Sequence, residues 1–231
     1  MTNCIHCTLI LLFSTIALLG QSQNISSFTT SNSPLPFNTV RCLEHEGNTL
    51  WVGTDQGLAK LENENDWTIY NSVNSALWND DIRALKADGD SLLWVGTIQG
   101  GLFCFDGTNW TNYNPSNSAL GDYLVRAIEV DLDGNIWVAT TEGVYMYDRT
   151  TWSSWTSNEG LLSNNITALC IGDNKKFVGS INGGVLYFDA ANNFENHTII
   201  SAGIPDNSTL NIEIDNEGKP WFISPAAGLV A

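Results

Sequence analysis

Trp94-Val95-Gly96-Thr97 is preceded by an identical Trp51-Val52-Gly53-Thr54 and followed by Trp137-Val138-Ala139-Thr140, Phe177-Val178-Gly179-Ser180 and Trp221-Phe222-Ile223-Ser224. The spacings are 43, 43, 40 and 44 residues. A second marker keeps step: Trp67-Thr68-Ile69-Tyr70, Trp110-Thr111-Asn112-Tyr113, Trp152-Ser153-Ser154-Trp155 and Phe194-Glu195-Asn196-His197, spaced 43, 42 and 42. Two markers sharing one period identify a chain of structural repeats.

Within the second repeat the pattern predicts four short strands, over 81–86, 92–97, 102–105 and 109–113. They are separated by the turn signals Ala87-Asp88-Gly89-Asp90, Gly100-Gly101 and Asp106-Gly107. Four antiparallel strands per repeat of this length make the blade of a β-propeller. The expected fold is therefore all-β, with almost no helix and repeats at about 38–71, 80–113, 122–156, 163–198 and 206–231. Each blade has two apolar faces and no core of its own. Trp and Val of the second strand are expected between neighbouring blades, and Gly53, Gly96 and Gly179 where adjacent sheets approach closely. Phe28-Thr29-Thr30 reads as an orphan outer strand, and the fifth repeat stops at Gly228-Leu229-Val230-Ala231, inside its third strand. Two readings follow: a five-bladed ring closed by that N-terminal strand, or a partial propeller.

The chain carries 9 Lys+Arg against 25 Asp+Glu, a formal charge of −16, which argues against nucleic acid or an anionic membrane as partner. Thr8 to Gly20 is an apolar run too short to span a bilayer and is followed by small and polar residues. Residues 1–22 are read as a secretory signal and 23–231 as the propeller, so the mature chain is expected to be secreted or periplasmic with no membrane span. Cys42, Cys104 and Cys170 are too widely spaced for a disulfide framework or a metal cluster and are read as small core residues.

The unit from Val125 to Val144, with Asp131, Asp133-Gly134-Asn135, Trp137-Val138-Ala139-Thr140 and Gly143, resembles the two-component regulator propeller repeat. Phe177, Ile223 and Pro225 depart from it in the last two repeats. The resemblance implies a non-catalytic recognition module of sensor type, often for a carbohydrate fragment, with any signalling output supplied by another chain. Repeat five, Asp215 to Ser224 with Gly218, Trp221 and Phe222, also looks like the repeat of streptogramin lyase. Elimination needs a general base within reach of the proton, and His45 and His197 map far from the channel mouth, so the chain is not expected to be an enzyme. The remaining alternative is a structural or adhesive interaction propeller.

In a propeller the loops that enter the innermost strands gather around the channel mouth, the default binding face. Three of the four arginines, Arg41, Arg83 and Arg126, occupy one position at the start of the first strand in three consecutive repeats. Guanidinium groups fork onto carboxylate, sulfate or phosphate, so a uronic acid, a sulfated sugar or another small anion is the expected ligand. Each could equally bridge to a loop carboxylate such as Asp80, Asp81 or Asp122. Trp78 and Tyr123, in the polar loops between repeats, complete the candidate site, Trp78 either stacking on a sugar ring or capping the seam between blades. Asp131-Leu132-Asp133-Gly134-Asn135 is read as a turn and not a calcium loop, lacking the later bidentate glutamate. No cofactor is expected.

Overall fold

A computed structural model describes residues 26–63, 65–89, 91–172 and 175–230; the signal stretch lies outside them. Five antiparallel sheets follow one another along the chain. The first holds β1 (Val40–Glu46), β2 (Thr49–Thr54), β3 (Gly57–Glu62) and β4 (Asp66–Tyr70); the second β5 (Ile82–Ala87), β6 (Leu93–Thr97), β7 (Leu102–Phe105) and β8 (Trp110–Tyr113). The third holds β9 (Val125–Val130), β10 (Ile136–Thr140), β11 (Val144–Tyr147) and β12 (Trp152–Trp155); the fourth β13 (Ile166–Gly172), β14 (Lys175–Ser180), β15 (Val185–Phe188) and β16 (Phe194–His197). The last has three strands: β17 (Asn211–Ile214), β18 (Pro220–Ser224) and β19 (Gly228–Val230). A single-turn helix, α1 (Ile199–Ala202), capped by Thr198, interrupts the link into the last sheet.

The repeated tetrapeptide has a separate task for each residue. Trp51, Trp94, Trp137 and Phe177 of the second strands lie under the following sheet, while Val52, Val95, Val138 and Val178 face the other way, as the two-residue period of a strand requires. At Gly53, Gly96 and Gly179 the next sheet comes too close for a side chain, a Cβ on Gly96 running into Val125 of β9, whereas the third sheet admits the buried Cβ of Ala139. Thr54, Thr97, Thr140 and Ser180 are fully buried, and their hydroxyls donate to the carbonyls of Gly57, Gly101, Gly143 and Gly184 at 2.8–3.1 Å. This satisfies a polar group that burial would otherwise make costly.

The aspartate of the first turn belongs to the same device. Its carboxylate accepts the indole Nε1 six residues on: Asp88 from Trp94 at 3.1 Å, Asp131 from Trp137 at 2.9 Å and Asp215 from Trp221 at 2.8 Å. Asp131 also accepts the amides of Asp133 and Asn135, so this loop is the turn between β9 and β10. Arg149, the fourth arginine, reaches from the β11–β12 turn to Asp88 of the neighbouring sheet at 3.0 Å and to the Gly134 carbonyl. Among the described residues Cys42, Cys104 and Cys170 form no disulfide; Cys170 is buried, Cys42 and Cys104 half-buried within seams, and burial raises the Cys104 thiol to about 11.

The first strands β1, β5, β9, β13 and β17 lie side by side in chain order, and no comparable contact brings β17 back to β1 among the described residues. The five sheets form an arc. Closure by an N-terminal strand at Phe28-Thr29-Thr30 is corrected accordingly. Thr29 donates its amide to Asn32 Oδ1 and accepts the amides of Asn32 and Ser33 through its carbonyl. That turn takes Thr29 and Thr30 out of the extended strand read for them.

Candidate functional site

Each of the first four sheets opens with a register shift between its first and second strands, and the residue left out of the ladder is Arg41, Arg83, Arg126 and Thr167 in turn. A β-bulge bends the strand and re-aims the extra side chain. Here it turns three guanidiniums from consecutive sheets into one recess of about 420 Å³, lined by Arg41, Arg83, Arg126, Ile98 and Leu124. In the fourth sheet the bulge residue is Thr167, whose hydroxyl donates to the Thr209 carbonyl.

The three arginines have different partners. Arg41 forks onto Asp55 through Nε at 2.5 Å and Nη2 at 3.0 Å, which holds the Asp55 carboxyl below the usual carboxylate range. Arg83 donates Nη2 to Asp81 at 2.6 Å, while its buried Nε and the buried Asp81 Oδ1 have no hydrogen-bond partner among the described residues. Arg126 donates Nη1 to Asn165 Oδ1 at 2.6 Å and to the Ile166 carbonyl at 3.2 Å, both uncharged. Burial lowers its pKa and the field of Asp122 opposes that; a guanidinium stays protonated in either case. Three cations thus meet two carboxylates in ion-pair contact, beside the apolar side chains of Ile98 and Leu124.

Trp78 and Tyr123 do not line this recess. Trp78 is 63% exposed, with one edge on Phe103 at 6.5 Å, and the Tyr123 hydroxyl lies 2.6 Å from Ser116 Oγ. Asp80 and Asp122 bond to Ser72 and Thr141, not to arginine. Ile98 and Leu124 were missed by the sequence reading, although each follows a motif position: Ile98 comes directly after the Thr97 of the tetrapeptide and Leu124 two residues before Arg126. His45 pairs with Leu50 on β1, and His197 sits on the outer strand β16, 3.9 Å from Glu195. Neither borders the recess.

No protein-family model and no curated protein matches the chain. Solved structures do. The extracellular domain of BT3049 from B. thetaiotaomicron, assigned to a hybrid two-component system, matches at TM-score 0.73 and 22% identity over 82% of this chain and 27% of that one. PorZ of Porphyromonas gingivalis, a surface component of the type-IX secretion system, matches at TM-score 0.65 and 21% identity over 89% and 33%. Streptogramin B lyase matches at TM-score 0.65 and 12% identity over 85% and 69%. The chain spans about a quarter to a third of the first two. At these identities the likeness establishes the fold, and it agrees with the resemblance carried by the repeat unit. The chain shares its all-β fold, four antiparallel four-stranded sheets and a three-stranded one stacked side to side, with the extracellular domains of two-component-system proteins.

Proposed function

We propose that this chain is a non-catalytic, sensor-type binding module that works outside the cytoplasm and takes a small anionic ligand, a uronic-acid-bearing oligosaccharide being the best fit, in the arginine recess. The observation that carries this reading is the convergence of Arg41, Arg83 and Arg126, each raised on a bulge, onto one recess of a strongly acidic chain. Arg41 is already matched by Asp55, so Arg83 Nε and Arg126 are the donors left for a carboxylate. Ile98 and Leu124 offer apolar contact to the CH face of a sugar ring, and Trp78 and Tyr123 would meet only the far end of a longer oligosaccharide. The location is supported by the apolar run before Gly20, by the extracellular domains among the structural relatives and by the lack, among the described residues, of a helix long and apolar enough to cross a membrane. Signalling, in this reading, is completed by another chain.

Titration calorimetry of the chain with di- and trigalacturonate, against the corresponding neutral galactose oligomers, tests the proposal. Binding of the acidic oligomers only, weakened by salt and abolished by Arg126→Ala, is expected. Equal binding of both series, or none, overturns it.

A further inference from the structure

Arg41 and Arg83 sit on equivalent bulges, yet only one of them is fully matched. Arg41 offers Nε and Nη2 to the two oxygens of Asp55, the forked pairing that suits a guanidinium and a carboxylate best. Arg83 carries the same two donors. Its Nη2 is taken by Asp81 Oδ2 at 2.6 Å, while the buried Nε has no partner among the described residues. Oδ1 of Asp81 is buried and unpartnered as well. The pair thus leaves one donor and one acceptor unsatisfied, a penalty that a complete fork would remove.

The cause lies in the neighbouring sheets. Asp81, Leu124 and Asn165 each stand two residues before the bulge residue of their sheet. Arg126 reaches across to the next sheet and donates Nη1 to Asn165 Oδ1 at 2.6 Å. At the corresponding place Arg83 finds Leu124, an apolar side chain that accepts no hydrogen bond, and it turns back to Asp81 of its own sheet. For Arg41 the corresponding residue is Asp81 itself. No ion pair joins the two among the described residues. The carboxylate nevertheless lies in the field of Arg41, whose pKa is raised first by the hydrogen bond to Asp55 and in smaller part by the charge of Asp81. Nη1 of Arg41, the nitrogen that Arg126 uses, takes no part in the fork onto Asp55.

Asp81 therefore stands between two guanidiniums and can serve either. Its main chain is fixed: the amide donates to Asn79 Oδ1 at 3.0 Å, and the carbonyl accepts the amide of Ile98, a residue of the recess wall, at 3.1 Å. Rotation of the side chain alone moves the carboxylate from one arginine towards the other.

We infer that Asp81 is a resident carboxylate of the recess, which holds in the free protein a donor that an anionic ligand needs. The ligand's anionic group forks onto Arg83 through Nε and Nη2, as Asp55 forks onto Arg41, and Asp81 passes to Nη1 of Arg41. This rests on the reading of the recess as an anion site and adds the determinant of its specificity. A neutral sugar offers Arg83 nothing in exchange and leaves Asp81 in place. An anion gains the complete fork and leaves Asp81 with a second partner, so only a group that accepts as strongly as a carboxylate shifts the equilibrium.

NMR titration of the chain with sodium sulfate at constant ionic strength provides the test, since sulfate needs no contact to a sugar ring. The Nε–H resonance of Arg83 and the side-chain carboxyl carbon of Asp81 should shift together with one midpoint, while the carboxyl carbon of Asp80, bonded to Ser72, stays in place. Asp81→Asn, of the same shape, should lower the midpoint about tenfold. Asp80→Asn removes the same charge one residue away and should lower it by no more than about twofold. Arg41→Gln should raise the midpoint about fivefold in the native chain and by no more than about twofold in the Asp81→Asn background. The inference is overturned by the absence of any response to sulfate, by a shift at Arg83 that leaves Asp81 unmoved, by equal effects of Asp81→Asn and Asp80→Asn, or by an equal effect of Arg41→Gln in both backgrounds. Binding of oligogalacturonate without a change at Asp81 removes the exchange and leaves the anion site standing. Exchange with sulfate in a chain that binds no oligogalacturonate upholds the role of Asp81 and removes the sugar.

Discussion

Trp137 and Trp221 begin alike and end differently. Both follow a turn aspartate by six residues and donate Nε1 to it, at 2.9 and 2.8 Å. Trp137 is fully buried between the third and fourth sheets, stacked on Trp155 at 5.1 Å, whereas Trp221 is 37% exposed, with Lys219 Nζ 5.0 Å from the centre of its ring. The hydrogen bond is local and each repeat makes it unaided. Burial is a property of the seam, and a repeat at the end of the arc has only one.

That contrast fixes the ranking of effects. Trp137→Ala should destabilise by about 3–5 kcal/mol and Trp221→Ala by roughly 1 kcal/mol, read as urea midpoints; equal losses would mean that Trp221 is covered in solution. Gly184→Ala should cost roughly 3 kcal/mol, since its Cβ collides with the His197 carbonyl in a left-handed backbone, against about 1 kcal/mol for Gly228→Ala, which meets only the backbone strain. Thermal unfolding of the pair separates the two terms.

The turns give a pH dependence that sharpens the same comparison. Asp189 in the fourth sheet and Asp215 in the last are both held below the ordinary carboxylate range, Asp189 first by the Asn193 side chain and Asp215 first by the Trp221 indole. A depressed folded pKa gives stability that is present above the unfolded value and lost as pH falls through the folded one. The melting temperature should therefore hold level from neutral pH down to about 4 and fall below it. In Trp221→Phe the decline attributable to Asp215 should shrink. The smallest effect on stability, but the full effect on ligand binding, is expected for Arg126→Ala, whose partners are uncharged.

Much of this was legible in the residues. The third strand of the second repeat is observed over the predicted 102–105, and its neighbours differ by one residue at their ends. The pattern works because the tetrapeptide and the aspartate turn are local: tryptophan, its cap, the close-approach glycine and the buried hydroxyl all lie within one hairpin. The helix at Ile199–Ala202 was not visible, since a capping box of Thr198 and Ser201 leaves little trace in a polar link. Phe28-Thr29-Thr30 read as a strand because aromatic and β-branched residues favour extended backbone, yet Asn32 and Ser33 turn it.

By itself the sequence determined the repeat, the strands of each blade and the alignment of three arginines, because these depend on period and on neighbours a few residues away. Only the tertiary structure decided that the arginines sit on bulges and share a recess, that Arg41 is matched by Asp55 and Arg126 by no carboxylate among the described residues, and that the arc is open. Those outcomes depend on how sheets some 40 residues apart approach one another, a distance in space that no local pattern encodes.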